Sequence, residues 1–267
     1  HIMFVGDSVT RYSYLVFTYW MQYNRFPPHL RDGILPSLTE ERTFGSWHNF
    51  YRLTMSLFVD EFCDCYRPER GNYLSTTVEN RFAYIAELNA SVTYIQVFGY
   101  NNVKASLRRS ESTTSPLYGS RPLLLNAPLE SAFEWLVADN VSKADVIIAN
   151  QGAWLDELGR NQNVAFFERF VSAIERCFAK IDTLLIWRST VSAERDNAAL
   201  KVLANTTHSR RWRTLDISRL VSTYASNTTA GSLKWDSHHP RTFFYEEMFR
   251  LLFGYLTNSS CKMMACE

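Results

Sequence analysis

The chain has 267 residues, of which 46% are hydrophobic and 21% charged, and its formal net charge is +1. This composition is typical of a globular protein with a sizeable core, and it argues against a disordered or fibrous chain. A charge balance so near neutrality argues against nucleic acid as a partner, and no apolar run in the sequence is long enough to cross a membrane.

Apolar residues in the sequence alternate between strand-like and helix-like spacing. Residues 2–5 predict a buried strand, and the apolar positions within residues 12–23 recur at helical spacing before a Pro-Pro pair. Residues 28–90 are less regular and predict an insertion, and residues 101–128 predict a polar loop. Further buried strands are predicted at 92–100, 144–154, 183–189 and 212–218, and further helices at 130–141, 164–181 and 241–256.

Buried strands separated by helices predict a parallel sheet that is covered by helices on both faces. We therefore expect an α/β protein with a mostly parallel sheet of about five strands, three layers and one domain over residues 1–267. In such a sheet the ligand site lies beyond the carboxyl ends of the strands. The residues at the predicted strand ends are Gly6-Asp7-Ser8, Gly99, Asn150-Gln151-Gly152 and Arg188-Ser189, and the loop before the last helix adds Asp236, His238 and His239.

These strand-end residues supply a hydroxyl group, an imidazole and a carboxylate. A serine becomes a nucleophile when an imidazole accepts its proton, and a carboxylate on the far ring nitrogen orients that imidazole. Asp236 and His239 are close enough in sequence for their side chains to meet within one turn. Ser8 stands at a strand-to-helix turn, where helix N–H groups can bind an oxyanion, and Gly99 and Asn150 are candidate further donors.

Each of these residues also has a purely structural interpretation. Ser8 can serve as a helix N-cap, Asn150 can cap a strand end, and Arg188 can pair with any carboxylate. His238 is expected to face solvent rather than to act as the base. Their joint occurrence, in the order Ser, Asn, Asp, His on successive strand ends, favours the catalytic interpretation.

Four short motifs together resemble a known family. They are GDSVTR at 6–11, NQGAW at 150–154, WRST at 187–190 and DSHHP at 236–240. In this order they resemble the SGNH (GDSL) hydrolases, and more narrowly the PC-esterase branch, which includes plant trichome-birefringence-like polysaccharide O-acetyltransferases and the sialate O-acetyltransferase. The resemblance spans nearly the whole chain and implies a flavodoxin-like α/β/α fold. Residues 28–90 match no motif of the family, and substrate identity is expected to lie there and in 101–128.

The resemblance implies roles for individual residues. Ser8 would be the nucleophile, His239 the base and Asp236 its partner, and the oxyanion hole would consist of Ser8, Gly99 and Asn150. No metal is implied, and no cofactor is implied other than an acyl donor of open identity. The residues that would bind substrate or support the site are Asp7, Arg11, Gly152, Trp154 and Arg188.

The implied reaction is a ping-pong acyl transfer, in which Ser8 takes an acyl group from an ester and an acceptor then removes it. A sugar hydroxyl as the acceptor makes an O-acetyltransferase, and water makes a carbohydrate acetylesterase with the same triad. The family context favours O-acetylation of a glycan or polysaccharide. A non-catalytic glycan-binding domain is the alternative from a different class.

Sequons and cysteines indicate the lumen of the secretory pathway (Golgi or ER) or the cell exterior. Cys177 falls on an apolar helical stripe and predicts a buried free thiol. The close pairs Cys63/Cys65 and Cys261/Cys266 lie far apart in sequence, which suits two disulfide bonds that tie the tail to the segment near residue 64. Three connectivities are open, although Cys63 and Cys65 are not expected to bond each other, and a zinc site of the same four residues is the alternative. The five Asn-X-Ser/Thr sequons are at Asn89, Asn140, Asn205, Asn227 and Asn258.

The sequence begins without an initiator methionine or a signal peptide. We therefore expect it to be part of a longer polypeptide, in which membrane spans could lie outside this segment. A monomer is expected.

Overall fold

We describe the protein in a computed structural model. The described residues are 1–27, 58, 61–66, 78–97, 129–138, 143–151, 160–190, 193–205, 208–218, 220–221 and 242–264.

Seven strands in the described part of the chain form one sheet. In chain order they are β1 (Ile2–Gly6), β2 (Glu61–Tyr66), β3 (Val78–Ile85), β4 (Ala90–Gln96), β5 (Ala144–Asn150), β6 (Ala179–Arg188) and β7 (Trp212–Leu215). Their order across the sheet is β2-β3-β4-β1-β5-β6-β7. The five strands from β4 to β7 in this order are parallel, whereas β2 and β3 add an antiparallel pair at one edge.

The parallel strands have one of the two common orders of a doubly wound sheet. Counted in chain order among themselves, the parallel strands are arranged 2-1-3-4-5, with β1 between β4 and β5. The strand order reverses between β1 and β5. In sheets of this kind ligands bind outside the carboxyl ends of the strands at that reversal, so the fold directs attention to the ends of β1 and β5.

Five α-helices in the described residues cover the two faces of the sheet. Successive residues of β1 point to opposite faces, so Met3 and Val5 join one apolar cluster and Phe4 joins the other. The first cluster holds side chains of α2, α3 and α4, and the second holds side chains of α1 and α5. The helices are α1 (Ser8–Tyr23), α2 (Leu129–Ala138), α3 (Arg160–Phe178), α4 (Ala193–Leu203) and α5 (Thr242–Met264).

The expected α/β class is confirmed, and the first elements agree closely with the predicted ones. Helix α1 ends at Tyr23, and Asn24 follows it in the left-handed conformation. Cys177 is buried on α3 as a free thiol, as its place on the apolar stripe predicted.

The predicted insertion at 28–90 is partly wrong, because β2 and β3 within it belong to the sheet. In the part of the chain that the structure describes, the sheet therefore has seven strands rather than about five. The alternation of apolar and polar residues that marks a strand is obscured in β3, where Asn80 and Arg81 are both buried. Arg81 is neutralised there by Glu61 of β2, at 2.9 Å between Nη1 and Oε1.

Two further differences concern α3, β6 and α4. The helix predicted at 164–181 ends at Phe178, and β6 begins at the next residue without a loop. Thr183 stabilises this transition, since its hydroxyl accepts the N–H of Lys180 at 2.6 Å and donates to the carbonyl of Ala144 at 2.7 Å. Helix α4 was not among the predicted helices, because it is short and nearly all its apolar residues fall in its second half.

Candidate functional site

The turn between β1 and α1 lies at the centre of the carboxyl edge of the sheet. β1 ends at Gly6, and α1 begins at Ser8, so Asp7 is the only residue between them. Asp7 is the N-cap of α1: its backbone is extended, and its Oδ1 accepts the N–H of Val9 at 3.0 Å. Its carbonyl oxygen accepts the N–H of Arg11 at 3.0 Å, which is the first backbone bond of the helix.

The interpretation of Ser8 as the helix N-cap is therefore wrong. Asp7 caps the helix, and Ser8 is the first residue inside it, with 3% of its surface exposed. The side chain that accepts the N–H of Val9 at the cap is thus that of Asp7 and not that of Ser8. It lies at the positive end of a helix of 16 residues, where negative charge is stabilised.

Gly6 allows the turn to approach β5 closely. In the parallel pair of β1 and β5, Gly6 lies opposite Asn150. A Cβ atom at Gly6 would lie 2.0 Å from the carbonyl oxygen of Asn150 and 2.5 Å from Oγ1 of Thr10. Only a residue without a side chain fits at this position, so the glycine of the GDS motif is required by packing.

The carbonyl oxygens of the turn are held by β4. The N–H of Val97 donates to the carbonyl of Gly6 at 2.8 Å. The hydroxyl of Tyr94 lies 3.1 Å from the carbonyl oxygen of Gly6 and 3.0 Å from that of Asp7, and it shares its one hydrogen between them in a bifurcated hydrogen bond. Tyr94 is fully buried, so these bonds are shielded from water. The turn before Ser8 is therefore fixed from the strand next to β1.

Asn150 connects the ends of β5 and β6. Its Nδ2 donates to the carbonyl oxygen of Arg188 at 2.7 Å, and the residue is buried. An amide nitrogen carries two hydrogens, and this bond uses one of them. Asn150, which is expected to be an oxyanion donor, therefore lies beside Gly6 at the strand reversal, and its side chain also hydrogen-bonds to the backbone of Arg188.

The Arg188 guanidinium group lies in the protein interior rather than on its surface. Nη1 donates to the carbonyl of Ser189 at 3.1 Å, and Nη2 donates to Oγ1 of Thr10 at 3.3 Å. Burial lowers the pKa of Arg188, and the nearby carboxylate of Asp7 opposes that shift. Arg188 therefore links the end of β6 to α1 within two residues of Ser8. Arg11, the other predicted arginine, is also fully buried.

Asp196 is a residue of this edge that the sequence did not indicate. It is 1% exposed on α4, where Oδ2 accepts the N–H of Thr190 at 2.6 Å and its hydroxyl at 2.9 Å. Oδ1 accepts the indole N–H of Trp187 at 3.3 Å. These three hydrogen bonds to the Asp196 carboxylate hold the WRST segment on both sides of Arg188. An aspartate among the polar residues of the first half of a short helix carries no signal of such a role, and Tyr94 likewise resembles an ordinary strand residue.

The ends of β6 and β7 are joined in a similar way. The N–H of Ser189 donates to the carbonyl of Leu215 at 3.0 Å, and its Oγ accepts the N–H of Ile217 at 2.8 Å. Asp216, exposed after β7, accepts the hydroxyl of Ser218. The carboxyl edge from β4 to β7 is therefore continuously hydrogen-bonded.

Several predicted site residues lie outside the described residues. The structure brings together Asp7, Ser8, Arg11, Asn150 and Arg188, while the base, its carboxylate partner and part of the oxyanion hole stay predictions. The site residues outside the described part are Gly99, Gly152, Trp154, Asp236 and His239, and His238, which is expected to face solvent, lies outside it as well.

The predicted disulfide bonds and the alternative zinc site also stay predictions. Cys63 and Cys65 lie on β2, and Cys261 lies on α5. Cys266, the last of the four paired cysteines, lies outside the described residues, so no bond to it is observed or contradicted. Two of the predicted glycosylation sites, Asn140 and Asn227, lie outside them as well.

Within the described residues, no three His, Cys, Asp or Glu side chains come together in a way that could hold a metal ion. No described helix is long and apolar enough to cross a membrane. Comparison with known proteins adds no family: no family model matches this sequence, and no curated protein matches it.

Proposed function

We propose that this chain is a serine-dependent acyl-ester enzyme that acts on carbohydrate, and that its reaction is O-acetyl transfer to a sugar hydroxyl through an acyl-enzyme on Ser8. The observation that carries the proposal is that Asp7 and Ser8 have different roles in the turn. Asp7 caps α1, so the serine beside it is not used as the cap, although it occupies the first position of a central helix at the strand reversal.

The surroundings of Ser8 support chemistry in which negative charge develops on an oxygen. The N-terminus of α1 supplies a positive dipole end, and Asn150 stands opposite Gly6 with a second amide hydrogen beyond its bond to Arg188. Donors that are fixed before reaction stabilise an oxyanion because they need not reorganise. The bonds of Tyr94 to Gly6 and Asp7 supply that rigidity for the turn.

The proposed reaction has two steps. In the first, Oγ of Ser8 attacks the carbonyl carbon of an acetyl ester while His239 takes the hydroxyl proton, and the donor alcohol leaves with that proton. In the second, a sugar hydroxyl attacks the acetyl-serine, and His239 takes its proton and returns it to Oγ of Ser8. Asp236 is assigned to orient the imidazole in both steps. Water as the acceptor would make the same site a carbohydrate acetylesterase.

The test follows acetylation of Ser8 directly. The purified chain is incubated with p-nitrophenyl acetate, and released nitrophenol and intact mass are measured for the parent, Ser8→Ala, His239→Ala and Ser13→Ala. Ser13 is a matched control, because it is a buried serine on the same helix whose hydroxyl donates to the carbonyl of Val9. We expect an acetyl adduct in the parent and in Ser13→Ala, and none in Ser8→Ala.

Acceptors then separate the remaining functions. Addition of oligosaccharides that collect the acetyl group supports a transferase, and loss of the adduct to water in their presence supports an esterase. Equal turnover in all four proteins would refute the role of Ser8. Glycan binding that is retained in Ser8→Ala, with no turnover by the parent on acetyl-xylan or O-acetyl sialosides, would instead identify a binding domain.

A further inference from the structure

Asn89 lies in a defined turn at the edge of the sheet opposite the candidate site. It follows the short 3-10 turn Ala86–Leu88 and immediately precedes β4. Its backbone is left-handed, with φ 46° and ψ 44°, and its N–H donates to the carbonyl of Ala86 at 3.1 Å. Asparagine adopts this conformation more readily than most residues. Asn89 is therefore held in one exposed backbone conformation.

A neighbouring side chain also orients the amide of Asn89. The hydroxyl of Tyr84 donates to Oδ1 of Asn89 at 2.9 Å. An N-linked sugar is attached through Nδ2, so this bond engages the amide oxygen and leaves the attachment atom available. A hydroxyl that donates to the oxygen remains compatible with a substituted nitrogen, because glycosylation keeps the amide carbonyl as an acceptor.

Two exposed apolar side chains stand beside this asparagine. Tyr84 is 42% exposed and Leu88 is 55% exposed. They stand five residues and one residue before Asn89, on β3 and on the 3-10 turn. The C–H face of a hexose ring packs well on an aromatic ring and on aliphatic carbon, and covering such surface is favourable in water. The turn thus presents both an attachment point and a surface for the first sugar.

We propose that Asn89, in the sequon Asn89-Ala90-Ser91, carries an N-linked glycan whose first N-acetylglucosamine covers Tyr84 and Leu88. The sugar comes from an oligosaccharide carried on a polyprenyl diphosphate. The bond from Nδ2 to the anomeric carbon forms as the bond from that carbon to the diphosphate oxygen breaks. The diphosphate leaves with the electron pair, and the amide proton passes to a base of the transferase.

A glycan at this turn leaves the candidate site open. β4 runs from Ala90 to Gln96, and Gln96 pairs with Gly6 at the carboxyl edge. A strand of this length separates the two ends by roughly 20 Å. The glycan is therefore independent of the acyl-transfer function, and each proposal can fail without the other.

Occupancy is tested by secreting the full chain from mammalian cells behind a cleavable leader and mapping its glycopeptides by mass spectrometry. We expect the Asn89 peptide to be mostly modified in the parent and in Asn205→Gln, and the mass of its glycan to be missing from Asn89→Gln and from Ser91→Ala. A secreted protein with an unmodified Asn89 would overturn the proposal. If the chain is not secreted, translation with microsomes decides: a mass shift that Asn89→Gln reduces by one glycan supports the proposal, and a mass shift that Asn89→Gln leaves unchanged, or no mass shift at all, overturns it.

Packing of the sugar is tested by thermal unfolding before and after glycan removal. In the parent we expect complete removal to lower Tm by roughly 2–4 °C, the size of shift that one ordinary contact produces in a chain of this length. Trimming to a single N-acetylglucosamine should leave Tm unchanged. Tyr84→Ala should abolish the glycan-dependent shift, whereas Leu200→Ala, an exposed apolar residue on α4, should retain it. Equal shifts in both variants would overturn the proposed packing.

Discussion

The hydroxyl of Tyr94 donates to the carbonyl oxygen of Asp7 at 3.0 Å, and Asp7 in turn caps the helix that begins with Ser8. A buried tyrosine on β4 is thereby connected to the proposed nucleophile through one residue. Its ring also lies beside Tyr14 of α1, with 6.0 Å between the ring centroids. Burial and the carboxylate of Glu61 raise the pKa of Tyr14, whose hydroxyl donates to that carboxylate rather than to the turn.

These two tyrosines make a matched pair of variants. Tyr94→Phe removes the bonds to the turn, so we expect the rate of Ser8 acetylation to fall about tenfold through loss of positioning, with KM little changed. Tyr14→Phe removes a hydrogen bond to the Glu61 carboxylate, so we expect the free energy of unfolding to fall by roughly 1.5–3 kcal/mol while the acetylation rate is retained. Stopped-flow release of nitrophenol together with urea unfolding measures both. Equal rates in the two variants would contradict a positioning role for Tyr94.

Substitution of Gly6 should be far more damaging than substitution of a glycine on α5. Gly6→Ala would drive Cβ into the backbone of Asn150, so we expect a loss of roughly 3–5 kcal/mol or failure to fold. Gly254→Ala meets no atom within 4 Å and should stabilise the helix by roughly 0.5–1 kcal/mol. Chemical denaturation of both variants checks the contrast, and a mild effect at Gly6 would show that β1 and β5 can separate there.

Removal of the Asp196 carboxylate should destabilise the WRST segment. Asp196→Ala leaves the N–H of Thr190 and the indole N–H of Trp187 buried without their acceptor. We expect a loss of roughly 2–6 kcal/mol, since each of the two donors costs about 1–3 kcal/mol. The midpoint of urea unfolding measures it. A loss confined to a few tenths of a kcal/mol would mean that water replaces the carboxylate.

The same carboxylate predicts a pH dependence of stability. Burial raises the pKa of Asp196, so the folded chain keeps this proton to higher pH than the unfolded chain, whose aspartates titrate near about 3.9. Its contribution to the free energy of unfolding is therefore largest below the unfolded pKa and falls as pH rises through the raised folded pKa. Asp196→Asn lacks this titration. The difference in free energy of unfolding between the parent and Asp196→Asn should change across that window and become constant above it; a difference constant from acid to neutral pH would contradict the raised pKa.

The ion pair between Arg81 and Glu61 should be costly to break on one side. Both side chains are almost fully buried, so Arg81→Met leaves the Glu61 carboxylate without its cation. We expect a loss of about 3–5 kcal/mol. Adding Glu61→Leu should recover part of that loss, because neither charge of this pair then remains buried. Unfolding of the single and double variants forms the measurement, and a double variant less stable than Arg81→Met would refute the argument.

Segments whose apolar residues have a regular spacing were predicted correctly from the sequence, and a segment with buried polar residues was not. β1 and α1 were predicted because their apolar residues follow strand and helix spacing without interruption. β3 was not predicted, because its polar residues Asn80 and Arg81 are buried. Asn80 accepts the N–H of Gln96, and Arg81 pairs with Glu61, and both partners come from other strands of the sheet. Spacing reports which residues are apolar, and it cannot report which polar residues find partners after folding.

In the candidate site, too, some features could be predicted from the sequence and others depend on contacts made only in the folded chain. Asp7 and Ser8 are both good N-cap residues, so composition could not decide between them, and only the extended backbone of Asp7 assigns the cap. Gly6 and Asn150 could be placed at one edge from the rule for parallel sheets, but their direct pairing depends on the strand order. Tyr94 and Asp196 act through single hydrogen bonds across the fold, and no short-range pattern contains them.

The central place of β1 has a consequence for how the chain acquires its native state. β1 pairs with β4 on one side and β5 on the other, and both are synthesised much later than β1 itself. Until Asn150 has emerged, a strand that is apolar on both faces has at least one open edge, which favours contact with chaperones or with other nascent chains. Such long-range parallel pairing is intrinsically slow. We therefore expect the turn that carries Ser8 to be complete only late in folding, after the middle of the chain has been made.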